Sequence, residues 1–158
     1  MSIPYGIDIT QATTSVHLTY AAAYRIGAIA DGLCRIPTAE DYEDERKTRP
    51  HAGAYITVYV NKTGRESMLA RKMKQFPEGS VIVKQKIGNP SEGSKPVLYT
   101  IMRKRERGFN PTLGDWEFAV VGANGTDLQA IGKLENCQSC HKEKGDSDFI
   151  FRSYVPSQ

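Results

Sequence analysis

Cys137-Gln138-Ser139-Cys140-His141 is the stretch whose residue types and spacing define the most specific chemistry in this sequence. The pattern Cys-x-x-Cys-His is the attachment signature of c-type haem. Two thiols at this spacing can reach the two vinyl groups on one edge of a porphyrin and form thioethers. The residue directly after Cys140 is then carried under the ring, where the His141 imidazole can bind iron as proximal ligand. Two other uses of the thiols stand beside this one. A zinc knuckle asks for a second pair of ligands at short spacing, which Cys34 with His17 or His51 does not provide. A thioredoxin-like dithiol normally opens a helix after a strand, whereas this motif follows a loop. One motif predicts one covalently attached haem c, held by Cys137 and Cys140, with iron on His141.

Covalent haem attachment in bacteria takes place outside the cytoplasmic membrane, so the motif predicts an exported, periplasmic protein. Met1-Ser2-Ile3-Pro4 is not followed by the basic stretch and apolar core of a signal peptide, so this reading takes the leader as removed. Three cysteines are too few for a disulfide framework. The odd one, Cys34, reads as a buried thiol in an apolar segment, with an intermolecular disulfide as the other reading.

The elements that must position the motif follow from composition and pattern. With 158 residues, 39% hydrophobic and 25% charged, the chain has the makeup of one globular domain. It divides into a helical and charged segment, 1–50, and a haem-binding sheet region, 51–158. The net charge of +3 is too mild for a dedicated nucleic-acid binder. No apolar run approaches the ~20 residues of a membrane helix.

Thr14 to Leu33 reads as a helix stopped at Gly32. Pro37 to Pro50 is dominated by charge and reads as a solvated loop or short surface helix. Tyr55 to Asn61 alternates β-branched and aromatic residues, the clearest strand pattern in the chain. Gly64 to Gln75 reads as a short helix with Met68, Leu69 and Met73 on its apolar side. Further strands are predicted over Ser80–Ile87, Val97–Arg103 and Trp116–Val121, separated by turns at Phe76–Gly79, Gly108–Pro111 and Gly122–Gly125. Successive strands with short polar turns predict an α+β fold, mainly an antiparallel β-sheet with flanking helices. That excludes the helical class of small c-type cytochromes.

Tyr59-Val60-Asn61, the run Phe76 to Lys84, Gly114-Asp115-Trp116-Glu117-Phe118 and the late Cys137–His141 motif together resemble the cytochrome P-460 family, which includes the β-sheet cytochromes c′. The match runs from about His51 to Phe151. The resemblance implies an antiparallel sheet with flanking helices, commonly a homodimer, carrying one haem c. It implies two kinds of function. Cytochromes P-460 oxidise hydroxylamine and carry a Lys crosslinked to the porphyrin, and Lys84 stands in that place. The β-sheet cytochromes c′ lack the crosslink and bind NO or CO at an apolar distal face, and other relatives look like electron carriers serving a redox partner protein. The hydroxylamine oxidisers carry an Arg just before their Thr-Val-Tyr-Val segment. Ile56 stands there in this chain, which favours an apolar pocket.

Residue-level readings complete the candidate set. Strand alternation groups Lys84 with Ile82 and Ser80, so Lys84 is either a solvated strand lysine or a haem neighbour. A hairpin symmetric about Glu92 sets Lys84 opposite Thr100 and Ile82 opposite Met102. Met102 would then share the face of Lys84, as core filler or as a sixth iron ligand. Glu117 and Glu135 are candidate pocket carboxylates or surface charges. Trp116 and Phe118 are expected to pack beside the haem. The run Arg103-Lys104-Arg105-Glu106-Arg107 is a solvated strand end or a docking patch for an acidic redox partner, and one of its arginines could pair with a haem propionate.

Overall fold

The computed structural model describes residues 7–8, 33–36, 55–70, 72, 75–88 and 95–152. Seven antiparallel strands lie side by side in chain order: β1 Ile7–Asp8, β2 Leu33–Ile36, β3 Tyr55–Asn61, β4 Val81–Ile87, β5 Pro96–Lys104, β6 Trp116–Gly122 and β7 Leu128–Gly132. Helix α1 spans Lys62–Leu69 and helix α2 spans Glu135–His141, with 3-10 turns at Pro111–Leu113 and Lys142–Ser147. This is the expected α+β architecture, mainly an antiparallel sheet.

The differences from the sequence reading are local. Strands β1, β2 and β7 and helix α2 were not anticipated. Leu33 opens a strand instead of closing a helix. Helix α1 starts two residues before Gly64 and ends at Leu69 instead of Gln75. The expected helix before Gly32, the charged segment 37–50, Met73, His17 and His51 lie outside the described residues.

Period-two alternation gives the sheet two different faces. On the first face, aligned rows cross the strands. One row is Val60, Ile82, Met102, Phe118 and Gly132; the next is Val58, Lys84, Thr100, Val120 and Ala130. The predicted pairs Lys84–Thr100 and Ile82–Met102 both occur. Val58, Val60, Ile82, Met102 and Phe118 join Met68, Phe76, Leu113, Trp116 and Ile150 in one buried cluster. On the second face Tyr59, Val83, Tyr99, Ile101, Ala119 and Val121 form another. There Tyr59 donates to Gln85, which donates to Tyr99. Burial pushes the Tyr99 hydroxyl above its ordinary value.

Asn61, Gly114 and Asp115 fix how the chain turns from one strand to the next. Asn61 caps α1: its Oδ1 accepts from Gly64 N at 3.1 Å and from Val81 N at 2.9 Å, while its Nδ2 donates to Gly79 O at 2.9 Å. One side chain thus satisfies a helix start, a strand start and a turn. Gly114 has φ +59°, and a Cβ there would lie 2.7 Å from Asp148 Oδ1 and 2.9 Å from the Phe149 ring. Only glycine meets both the conformation and the space. Its neighbour Asp115 accepts from the amides of Gly108 and Asn110, closing the turn into β6.

Two stability outcomes follow. Asn61→Ala strands buried donors and an acceptor, and is expected to cost about 2–3 kcal/mol, read as a lower thermal midpoint. Gly114→Ala combines a disfavoured φ with a clash and is expected to cost about 2 kcal/mol or more. A midpoint for either variant equal to that of the parent protein would refute the assignment.

Candidate functional site

Helix α2 carries the whole motif. Cys137, Cys140 and His141 stand at i, i+3 and i+4, the spacing that places side chains on one face of a helix. The residues between them anchor the helix. Gln138 donates to Lys133 O at 3.0 Å and accepts from Asn110 Nδ2 at 3.1 Å, and Asn110 also donates to Trp116 O at 3.0 Å. Asn110 is 4% exposed, so this amide pair ties α2 to the start of β6 through a buried contact. Cys137 and Cys140 are both half-buried free thiols. Cys137 packs against the first-face cluster, and burial, then the neighbouring Cys140, pushes its thiol above the usual range.

His141 is held by rings and by one hydrogen bond. Its imidazole lies 5.4 Å from the Phe118 ring and 5.1 Å, edge-on, from the Phe151 ring. Its Nδ1 is 2.6 Å from Phe149 O. A carbonyl can only accept, so Nδ1 carries the proton and Nε2 carries the lone pair. That is the tautomer an Nε2-ligating histidine needs, and a carbonyl partner on the other nitrogen raises its basicity as a ligand.

The carbonyl is aimed by an unusual turn. Asp148 and Phe149 both have positive φ, 49° and 63°, although neither is glycine. Such residues cost about 1–2 kcal/mol each and persist where their surroundings over-determine them. Here the Asp148 carboxylate accepts from Lys104 Nζ at 2.7 and 2.8 Å and from Phe76 N at 2.8 Å, and Asp148 O accepts from Trp116 Nε1 at 2.8 Å. The Lys104 side chain is 11% exposed and that of Asp148 only 4%. Beyond it, Arg152 donates to Met68 O and Ala70 O, holding the segment after Phe149 against the end of α1.

Lys84 reaches this site. Its Nζ is 5.3 Å from the centroid of the Phe151 ring, the same ring that meets His141, and Lys144 Nζ approaches that ring at 5.1 Å. Met102 is on the same face as Lys84, as the register argument predicted, and is 5% exposed within the cluster that includes Phe118. Ile56 is also buried in that cluster. Trp116, fully buried, and Phe118 belong to the cluster against which Cys137 packs.

The two candidate carboxylates do not join the site. Glu117 alternates with Trp116 and Phe118, which puts it on the opposite face, paired with Arg105 at 2.8 Å. Glu135 is exposed at the first turn of α2. Nor is the basic run a row of outward cations. Lys104 turns inward to Asp148, and Arg105 engages Glu106, Glu117 and the Phe109 ring.

The residues present fit a haem. Two thiols and a tautomer-fixed histidine share one short helix. On the same face Lys84, Thr100, Val120 and Ala130 form a half-buried ledge, half polar and half apolar, while Val60, Ile82, Met102 and Phe118 of the neighbouring row are sealed. Sequence reasoning missed Gln138, Asp148, Phe149 and Phe151. Only the aromatic pair flanking Ile150 carried a signal, as late apolar residues following a charged run.

A comparison with curated proteins finds no match. The model of the Cytochrome P460 family matches residues 38–152, nearly three-quarters of the sequence, including every strand from β3 onward and the whole motif. With the match covering most of the sheet and the helix that carries the two thiols and the histidine, the chain belongs to the cytochrome P460 family and is a haem-binding cytochrome.

Proposed function

We propose that the chain is an exported, periplasmic, mono-haem c-type cytochrome that binds a small neutral ligand of the NO type at its iron. The supporting observation is the pairing of a tautomer-fixed His141 with the half-buried ledge of Lys84, Thr100, Val120 and Ala130, which borders the sealed apolar row of Ile82, Met102 and Phe118. In this reading Cys137 and Cys140 would hold the ring through thioethers and His141 Nε2 would bind its iron. The haem supplies ligand binding and electron exchange, and the chain supplies orientation and exclusion of water. An apolar face favours a neutral diatomic ligand over a charged one, because nothing apolar compensates a lost hydration shell. Met102 acts as core filler; in the electron-carrier form of this reading, serving a redox partner protein, it is the sixth ligand. A homodimer is part of the proposal.

A second reading has its own observation. Lys84 Nζ lies within cation–π distance of Phe151, beside His141, and so is within the site. A haem-crosslinked Lys84 would make the protein a hydroxylamine-oxidising enzyme. Such oxidation needs a base for the substrate protons, and Glu117, a sequence candidate for that role, faces away.

Spectra of the purified protein decide between these readings. The expected result is a haem that stays with the polypeptide on acid extraction, a sharp ferrous Soret band, and a shift when NO is added. Lys84→Met should leave the bands in place, and Cys137→Ala or Cys140→Ala should lower covalent loading. A broad, red-shifted ferrous band abolished by Lys84→Met would replace this reading with the enzyme. A spectrum indifferent to NO until Met102→Leu opens the site would replace it with the electron carrier.

A further inference from the structure

Asp148 is a buried carboxylate that lies well past the last strand, β7, of the sheet to which it binds. Every partner it has holds one turn in place. Lys104 and Phe76 N grip its side chain, Trp116 Nε1 grips its carbonyl, and Gly114 leaves room for it where any Cβ would collide. The turn continues through Phe149, whose amide donates to Lys144 O at 2.7 Å and whose carbonyl meets His141 Nδ1. Two consecutive non-glycine residues at positive φ would relax to ordinary backbone if released, and the Phe149 carbonyl would then swing away from the imidazole.

We propose that Asp148, clamped by Lys104, is a positioning residue for His141: it holds the left-handed turn that aims the Phe149 carbonyl at Nδ1. This rests on the reading of His141 as iron ligand. A firm hydrogen bond from Nδ1–H makes the imidazole a stronger donor toward iron and favours the ferric form. The clamp therefore lowers the reduction potential through a chain of contacts that never touches the haem. Lys104 and Asp148 are absent from the chemistry of attachment, so their effect is separable from loading.

The test uses the haem-loaded protein and four variants: Lys104→Met, the charge-neutral double Lys104→Met/Asp148→Asn, Lys104→Arg, and Val121→Ala on the opposite sheet face as a stability control. Two quantities are read: the midpoint potential, and the hydrogen-exchange rate of the His141 Nδ1 proton in the CO-bound ferrous protein. Lys104→Met and the double variant should favour the ferrous state by about tenfold, a rise of about 59 mV for one electron, with faster exchange of the Nδ1 proton. Lys104→Arg should retain the parent values, and Val121→Ala should lower the thermal midpoint while moving neither quantity. Parent-like potential and exchange in both Lys104→Met variants would overturn the proposal, as would an equal shift in Val121→Ala. A parent protein whose His141 shows no iron-bound NMR shift would overturn the ligand reading beneath it.

Discussion

The carboxylate of Asp148 is satisfied from two sides, by the ammonium of Lys104 on β5 and the amide of Phe76 ahead of β4, while the carbonyl of the same residue accepts from Trp116 on β6. Taking such an ion pair out of water costs several kcal/mol per charge, and only good geometry offsets it; removing one partner then costs about 3–5 kcal/mol. The pair contributes location more than net stability. An apolar contact at this place would tolerate sliding, whereas a residue held by three fixed donors, two on its carboxylate and one on its carbonyl, does not. The turn it fixes carries the histidine's hydrogen-bond acceptor, and the same turn determines why residue 114 must be glycine.

The two faces of the sheet have different chemistry although they share the same strands. The second face is closed by Tyr59, Val83, Tyr99 and Ile101, with its polar atoms spent on one another through Gln85. The first face is sealed only along the row that ends at Phe118. The next row is closed at Val58 and stays half-buried from Lys84 through Thr100 to Ala130. Alternation alone thus assigns one side to holding the sheet together and the other to holding something against it.

Much of this was legible in the residues. Tyr55 to Asn61 reads as a strand because β-branched and aromatic side chains suit a pleated, half-buried surface. Hairpin symmetry placed Lys84 opposite Thr100 and Ile82 opposite Met102, because register in such a pair is set by where the turn falls. What was not legible depended on distant partners. Leu128–Gly132 is short and mixes Gln and Ala, so its strand state comes from pairing with β6, not from its own propensity. Helix α2 has no side-chain cap and no apolar stripe; its anchors are Gln138 and Asn110, 28 residues apart. Glu117 looked like a pocket acid by composition, yet alternation with Trp116 and Phe118 turns it away. Asp148 is one more charge in the run from Lys142, and nothing local distinguishes it from Asp146.

The meander has a consequence in time. Each strand pairs with the next in the chain, and from β4 to β7 the connections are short, so that part of the sheet can grow from local closures, the least costly kind in loop entropy. The motif and its clamp come after all seven strands, and the clamp's contacts reach back 44 residues to Lys104 and 72 to Phe76. The segment that shuts the cradle thus follows every described strand of it along the chain. Burial of Asp148 acts as the latch that draws the turn beside His141 onto that surface.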